Sequence, residues 1–441
     1  MPKFNLWFAN HKKYGIFGFS NQNNYKFYGF QTKSDMVSIM ESQEIQRIYE
    51  IQERRLKSIS STFHRFLFSK INWNARLISI QGARGTGKTT MMLQRIKESF
   101  PNPSRVLYVS LDNLWFANHS LLDLIDYHVM HGGTHLFLDE VHYHKNWQTL
   151  IKNLYDDYPE LFLVYSGSSL LKISKDEGDL SRRQVVYNLP GLSFREYLAF
   201  EQICEFPMLP LEELHSNHVD LARKVCSLCG TVQHEFDQYL LKGYYPFYKE
   251  PGDGYGERLQ QIVTQVLEID YPSIDDALPS TTRKIRKMLM ILAENPPQTP
   301  NFSKLCVELE TDYKQGLKML YALDRARLLN LLEASGATLK NLSRPAKIYC
   351  ENTNLMHALA PEADIGTIRE CFFFNQLCTK HQIVYPAHGD FEVDGKYLYE
   401  VGGHKKSFDQ IKDIPNSFLA VDNTEIGHGN RIPLWCFGFL Y

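Results

Sequence analysis

The chain has 441 residues, more than one compact core accommodates, so its length points to two to four domains. Apolar residues supply 44 % and charged residues 22 %, which excludes disordered, collagen-like and coiled-coil classes. With 48 basic and 50 acidic residues the net charge is −2, which excludes a surface that is basic throughout and leaves room for a local basic module.

No run nears the ~18 consecutive apolar residues of a membrane span. Met1–Phe30 lacks the basic start, apolar centre and small-residue cleavage site of a signal peptide. The expectation is a cytoplasmic protein with no membrane partner. Eight scattered cysteines suit that reducing setting. Only Cys226 and Cys229 have CxxC spacing; with His234 they form at most a partial zinc set, and Leu221, Val225, Leu228 and Val232 step through the same stretch at helical spacing.

Residues 1–35 are rich in Phe, Tyr, Asn and Lys without a sustained period, and read as a loose arm or an upstream stretch preceding a start at Met36 or Met40. A helix is expected over Ser42–Ser58, with Ile45, Ile48, Tyr49, Ile51 and Leu56 toward one side.

The strongest signal follows. Leu77–Gln81 reads as a short buried strand and runs into Gly82-Ala83-Arg84-Gly85-Thr86-Gly87-Lys88-Thr89, a full GxxxxGK[ST] match, before a helical pattern that begins at Thr90. Glycines let the backbone turn its N–H groups inward onto phosphate oxygens, and the following helix adds its positive end. Lys88 would reach the β- and γ-phosphates of ATP, and the Thr89 hydroxyl would ligate Mg²⁺.

Thr134–Leu138 is apolar and ends in Asp139-Glu140, about 50 residues past Lys88, the arrangement of a Walker B strand. Asp139 would hold Mg²⁺ through water, and Glu140 would orient or deprotonate the attacking water. Further strands are expected at Arg105–Ser110, Leu161–Tyr165 and Val185–Leu189. Helices at Thr90–Ser99, Leu121–His131 and Trp147–Tyr155 alternate with them, so a parallel sheet covered on both faces is predicted. Ser166 or Ser168 would be a polar sensor of the γ-phosphate. Arg182 and Arg183, after Asp179, would reach a neighbouring subunit's phosphate in a homo-oligomer.

These residues carry a family resemblance. Residues 76–200 resemble the AAA+ ATPases of bacteria and archaea that carry a C-terminal uncharacterised domain. The matching blocks are Gly82–Thr89, Phe137–Glu140, Ser166-Gly167-Ser168, Arg182-Arg183 and, most diagnostic, Leu189–Tyr197 (LPGLSFREY). Tyr239–Pro246 resembles the family's YLxxGGxP segment, with Tyr244 in place of the second Gly. The resemblance extends from about residue 40 to 441. It implies an α/β fold: a P-loop NTPase sheet of AAA+ type over 41–192, then a helical lid over 193–280, following an unassigned extension at 1–40.

Beyond Pro279-Ser280, Thr282–Ala293, Phe302–Leu309 and Tyr313–Leu323 read as helices, the last capped by Thr311-Asp312, and Leu328–Glu333 with Lys347–Cys350 as a β-wing. A winged-helix-like domain is expected over 281–350. Its 12 basic and 6 acidic residues suit DNA phosphates, while such domains also serve protein contacts; both partners stay open. In the tail, 351–441, the order Glu370, Asp390, Glu400 resembles the PD-(D/E)xK nuclease core, in which carboxylates hold a divalent ion beside a lysine. Gly402 stands at the lysine position, and Lys405 would have to reach back, so a retained fold without cleavage is expected. Three activities follow in order: Mg-ATP hydrolysis driving conformational change, a nucleotide-dependent switch or protein-interaction module with little turnover, and an ATP-gated nuclease. ATP and GTP are not distinguished.

Overall fold

The computed structural model describes residues 6–11, 14–21, 24–30, 33–169, 180–272, 278–294, 301–336 and 345–441, with backbone only through residue 42. Asp179, singled out in the sequence, lies outside these residues. The first segment differs from the expected loose arm. Leu6–His11, Tyr14–Asn21 and Asn24–Phe30 (β1–β3) pair as an antiparallel meander, and the helix that follows (α1) starts early, spanning Lys33–Ser58.

Five parallel strands form the first main sheet: Leu77–Gly82 (β4), Val106–Ser110 (β5), His135–Asp139 (β6), Phe162–Ser168 (β7) and Val185–Asn188 (β8), in the order β5-β6-β7-β4-β8. Each begins and ends within a few residues of its expected position. The strands alternate strictly: Leu107, Val109, Leu136 and Leu138 pack into one apolar cluster, Val106, Tyr108 and Phe137 into the cluster on the opposite face. Helices Lys88–Ser99 (α2), Leu121–Met130 (α3) and Trp147–Asp157 (α4) alternate with the strands, α2 lending Met91 and Ile96 to one cluster, α3 and α4 lending Leu124 and Ile151 to the other. The β5 edge is closed by α1. Buried Gln52 donates from Nε2 to the Val106 carbonyl at 3.1 Å and accepts from the Tyr108 N–H at 2.6 Å, as a neighbouring strand would.

From Ser193 the chain is mainly helical: Phe194–Phe200 (α5), Leu211–Cys229 (α6), Val232–Lys242 (α7) and Tyr255–Gln265 (α8), the last continuing into a π-helix at Val266–Asp270. Ser193 opens α5 with a capping box to Glu196. Pro279–Glu294 (α9), Phe302–Glu308 (α10) and Tyr313–Arg325 (α11) follow, then an antiparallel pair, Leu329–Leu332 (β9) and Lys347–Cys350 (β10). Asp312 caps α11 through the Gln315 N–H, as expected.

Thr353–Leu359 (α12) and Ile365–Leu377 (α13) lead to a second five-stranded sheet: Ile383–Val384 (β11), Phe391–Val393 (β12), Tyr397–Gly402 (β13), Ser417–Val421 (β14) and Arg431–Pro433 (β15). Its first two pairings are antiparallel and its last two parallel. One apolar cluster runs from Phe194 to Leu440, and a smaller one, Leu398, Ile411, Leu419 and Val421, lies on the tail sheet. Among the described residues no helix is long and apolar enough to cross a membrane.

Candidate nucleotide site

All six residues of β4 are buried, which fixes the strand from which the Gly82–Thr89 loop springs. Gly85 and Gly87 hold φ of +84° and +94°, conformations that side chains resist. Lys88 is 5 % exposed, and its Nζ donates to the carbonyls of Gly82 and Ala83, both at 3.0 Å, so the ammonium rests inside the loop. The Thr86 hydroxyl donates to the Ala83 carbonyl at 2.9 Å, and Thr90 lies exposed on the first turn of α2.

Asp139, at the end of β6, is where the elements converge. Its Oδ2 accepts from the Thr89 hydroxyl at 2.6 Å and from Tyr108 of β5 at 2.8 Å, and its Oδ1 accepts from the Ser166 hydroxyl of β7. Burial, then the Asp139 carboxylate, push the Tyr108 phenol well above its ordinary range, so it stays a donor. Ser166 Oγ accepts from the Glu140 N–H at 3.2 Å. Glu140 itself holds φ +53°, a strained conformation of the kind that clusters at working sites. Thr89 and Asp139 offer hard oxygens side by side, which fits Mg²⁺, an ion that takes one or two protein ligands and completes its shell with water and phosphate. Among the described residues no group of three His, Cys, Asp or Glu is placed to hold a metal. The partial zinc set at Cys226, Cys229 and His234 therefore does not assemble; Cys229 instead meets Cys204, Sγ to Sγ 3.7 Å.

The helical segment after Ser193, the expected lid, lies against the loop. A Cβ added at Gly85 would lie 2.7 Å from the Phe247 ring, and Pro246 stands beside Gly87. Arg84 leaves the loop toward the lid: Nη2 donates to the Tyr143 hydroxyl at 3.0 Å, and Nε lies 3.7 Å from Asp270 Oδ2. Burial works against the charge on Arg84, and Asp270 and Glu140 more than offset it, so its pKa rises. Beneath the loop, buried Arg65 donates to the carbonyls of Thr86 (2.5 Å), Pro190 (2.8 Å) and Gly191 (2.7 Å) and forms a bidentate pair with Glu196, both contacts 3.1 Å. A cavity of about 320 Å³ adjoins the loop's first residues, Gly82 and Ala83, and is lined also by Ser169, Arg327 and Glu351.

Of the residues expected from sequence, the fold brings Lys88, Thr89, Asp139, Glu140 and Ser166 together. Arg182 is exposed, and Arg183 pairs with Asp156 of α4 at 3.1 Å; neither meets this cluster within the chain. Sequence reading missed Arg65, Tyr108, His142 and Asp270. Tyr108 sat in an expected strand, and Glu196 in the diagnostic block, but their partners are set by tertiary contact.

The tail carboxylates are placed otherwise than expected. Lys347 lies between Glu370 and Asp390, its Nζ 2.9 Å and 3.7 Å from their oxygens, and Asp390 also accepts from the Val401 N–H. Glu400, 2 % exposed, pairs with Lys406 at 2.7 Å. Lys405 is exposed, so the expected reach-back falls to its neighbour. A Cβ at Gly402 would lie 2.8 Å from the Lys406 side chain, which fills the space a residue there would use.

The parallel sheet, its phosphate-type loop and the carboxylate opposite define a P-loop domain. Residues 74–198 match the family model described as AAA domain, so this segment is a P-loop domain of AAA type. Residues 233–365 match a domain of unknown function. The uncharacterized protein MJ1637 of Methanocaldococcus jannaschii is 28 % identical over 410 residues, covering 84 % of this chain and 85 % of that protein. Among solved structures, AMPPCP-bound DnaA from Aquifex aeolicus is 16 % identical, covering 63 % of this chain and 88 % of its own, with TM-score 0.23. PCH-2 of C. elegans is 14 % identical, covering 64 % and 68 %, with TM-score 0.24. TM-scores this low do not establish a shared overall fold.

Proposed function

We propose that the chain binds Mg-ATP at the Gly82–Thr89 loop and hydrolyses it, using the cycle to move the lid and what is packed on it. The observation that carries this reading is the convergence of Thr89, Ser166 and Tyr108 on Asp139, with Glu140 next in sequence and Lys88 across the loop. Lys88 would leave its two loop carbonyls to neutralise the β- and γ-phosphates. Thr89 and Asp139 would hold Mg²⁺, which neutralises developing charge when bound. Glu140 would take the proton of the attacking water, and a pure binder has no need of it. Steady-state phosphate release from Mg-ATP by the wild type, Lys88→Ala and Glu140→Gln tests the reading. Release by wild type alone supports it; equal release by all three removes it, and none by a wild type that binds ATP leaves the switch reading.

A second element is contact with DNA through a winged helix over 281–350. The third helix of that unit favours it: Lys314, Lys318 and Arg325 are all exposed at i, i+4 and i+11, within about 40° of arc on one helix face. Lys284 and Lys287 contribute less, since their ammonium groups bond the Glu310 and Glu308 carbonyls. For the tail we infer a retained restriction-endonuclease-like fold without efficient cleavage, because lysines already neutralise Glu370, Asp390 and Glu400.

A further inference from the structure

The carboxylate that would activate water is not held by the sheet alone. Glu140 Oε2 lies 3.4 Å from Nδ1 of His142, and His142 Nε2 lies 3.5 Å from Oδ1 of Asp270, the last residue of the lid's π-helix. The His142 side chain is 1 % exposed, and neither ring nitrogen has a hydrogen bond of normal length. Buried ring nitrogens are ordinarily satisfied, so an imidazole set just out of reach between two carboxylates is a joint with slack. The other Asp270 oxygen faces Arg84 Nε at 3.7 Å. A single lid carboxylate thus looks both at the loop that would grip phosphate and, through His142, at Glu140.

We propose that His142 and Asp270 are positioning residues that tie the orientation of Glu140 to the placement of the lid. The inference rests on the reading that Glu140 acts on water. A lid displacement of a few tenths of an ångström takes the Asp270 contact into the 2.7–3.2 Å range of a hydrogen bond, and a small turn of the ring that follows does the same for Glu140. Nδ1–H then donates to Glu140 and, when the ring carries both protons, Nε2–H donates to Asp270; the reverse displacement opens the link. Apo catalytic contacts that are long and tighten in the complex behave this way. The π-helix supplies the element that moves, since such bulges concentrate at functional positions. Loop, lid and catalytic carboxylate are then one chain of contacts: Arg84, Asp270, His142, Glu140.

The test compares phosphate release and fluorescent-ATP affinity in His142→Ala, His142→Gln and Asp270→Asn. His142→Ala and Asp270→Asn should lower kcat roughly 10–100-fold, the usual scale for an orienting partner, with KM and affinity within about twofold. His142→Gln, whose amide still spans the gap, should recover part of the loss. Adding His142→Ala to Glu140→Gln should cost nothing more, because the residue it positions is already disabled. Unchanged kcat in His142→Ala, a loss that appears equally in affinity, or additive losses in the double variant would overturn the proposal. A readout free of turnover separates it from the hydrolysis reading. The His142 ring ¹⁵N resonances should shift in both Glu140→Gln and Asp270→Asn. If wild type releases no phosphate, the hydrolysis reading falls; if the resonances ignore both substitutions, this link falls.

Discussion

Replacing Arg65 with Met removes a buried cation beneath the phosphate loop and leaves the Glu196 carboxylate, 1 % exposed, without its ion-pair partner. Both side chains are at most 5 % exposed, so solvent does not screen the loss. Breaking such a pair from one side costs about 3–5 kcal/mol. The three carbonyls that Arg65 serves, on Thr86, Pro190 and Gly191, lose a charged donor as well. At about 2–4 °C per kcal/mol for a domain of this size, the transition that melts the P-loop domain should fall by roughly 6–20 °C in calorimetry. Glu196→Gln keeps an acceptor for the Phe66 N–H, which now bonds Oε1 at 2.6 Å, and should cost less, about 1–3 kcal/mol. The double variant Arg65→Met/Glu196→Gln should be more stable than the sum of the two losses by about 2 kcal/mol, because no buried charge is stranded. A shift under about 3 °C in Arg65→Met, or strict additivity in the double variant, would refute the reasoning.

Lys88→Ala should abolish fluorescent-ATP binding while its far-UV spectrum stays that of the wild type, since the ammonium lies in the loop and outside the apolar clusters. Glu140→Gln should keep affinity and lose roughly 10²-fold in turnover, the scale of a lost general base; wild-type phosphate release would place the base elsewhere. Reversing Lys314, Lys318 and Arg325 to Glu should weaken duplex DNA binding most at low salt and flatten the salt dependence by about one unit for each phosphate no longer neutralised. Absence of wild-type binding at ~50 mM salt would favour a protein partner instead. Incubation of plasmid with Mn²⁺ should give no nicking, and nicking that disappears in Asp390→Ala would make the tail a nuclease.

The central sheet was legible because four of its strands are buried along nearly their whole length and read as apolar runs, β8 being largely exposed, while the GxxxxGK[ST] spacing leaves the loop almost no freedom. Lys88, Thr89, Asp139 and Glu140 could be named because a fixed spacing or a strand end carries each of them. Ser166 had the weaker signal of a Ser/Gly turn after a strand, and the hydrogen bonds to Asp139 and from Glu140 distinguish it from Ser168 in this role. Arg65 and Glu196 were not readable as a pair: they are 131 residues apart, and a single Arg before a strand has no local signature. His142 looked like any residue of a short turn until the lid's Asp270 arrived beside it. In the tail, periodicity assigned the strand but not the turn after Gly402, so the lysine that folds back proved to be Lys406 and not Lys405. The β1–β3 meander escaped because its strands sustain no alternation of apolar and polar residues beyond the short run Asn24–Phe27.

What these placements share is a junction at residues 190–196. Arg65 reaches it from the segment before β4, and the far end of the chain reaches it too: the Tyr441 carbonyl accepts from the Ser193 hydroxyl at 2.7 Å and from Arg195 Nε at 2.9 Å. The Tyr441 ring lies 5.2 Å from that of Phe66, next to Arg65. The phosphate-type loop, the first lid helix and the chain's last residue are thus fastened to one stretch of backbone. Beyond that stretch a large close-packed apolar cluster runs from Phe194 to Leu440. Such a core resists shear within itself and passes displacement on as a rigid body. A displacement delivered at Phe247 or Asp270 by the ATP cycle proposed above would therefore pass to the rest of this cluster about the 190–196 junction. Arg65 ties the segment before β4 to both the loop and that junction, which is why its loss should be felt in stability.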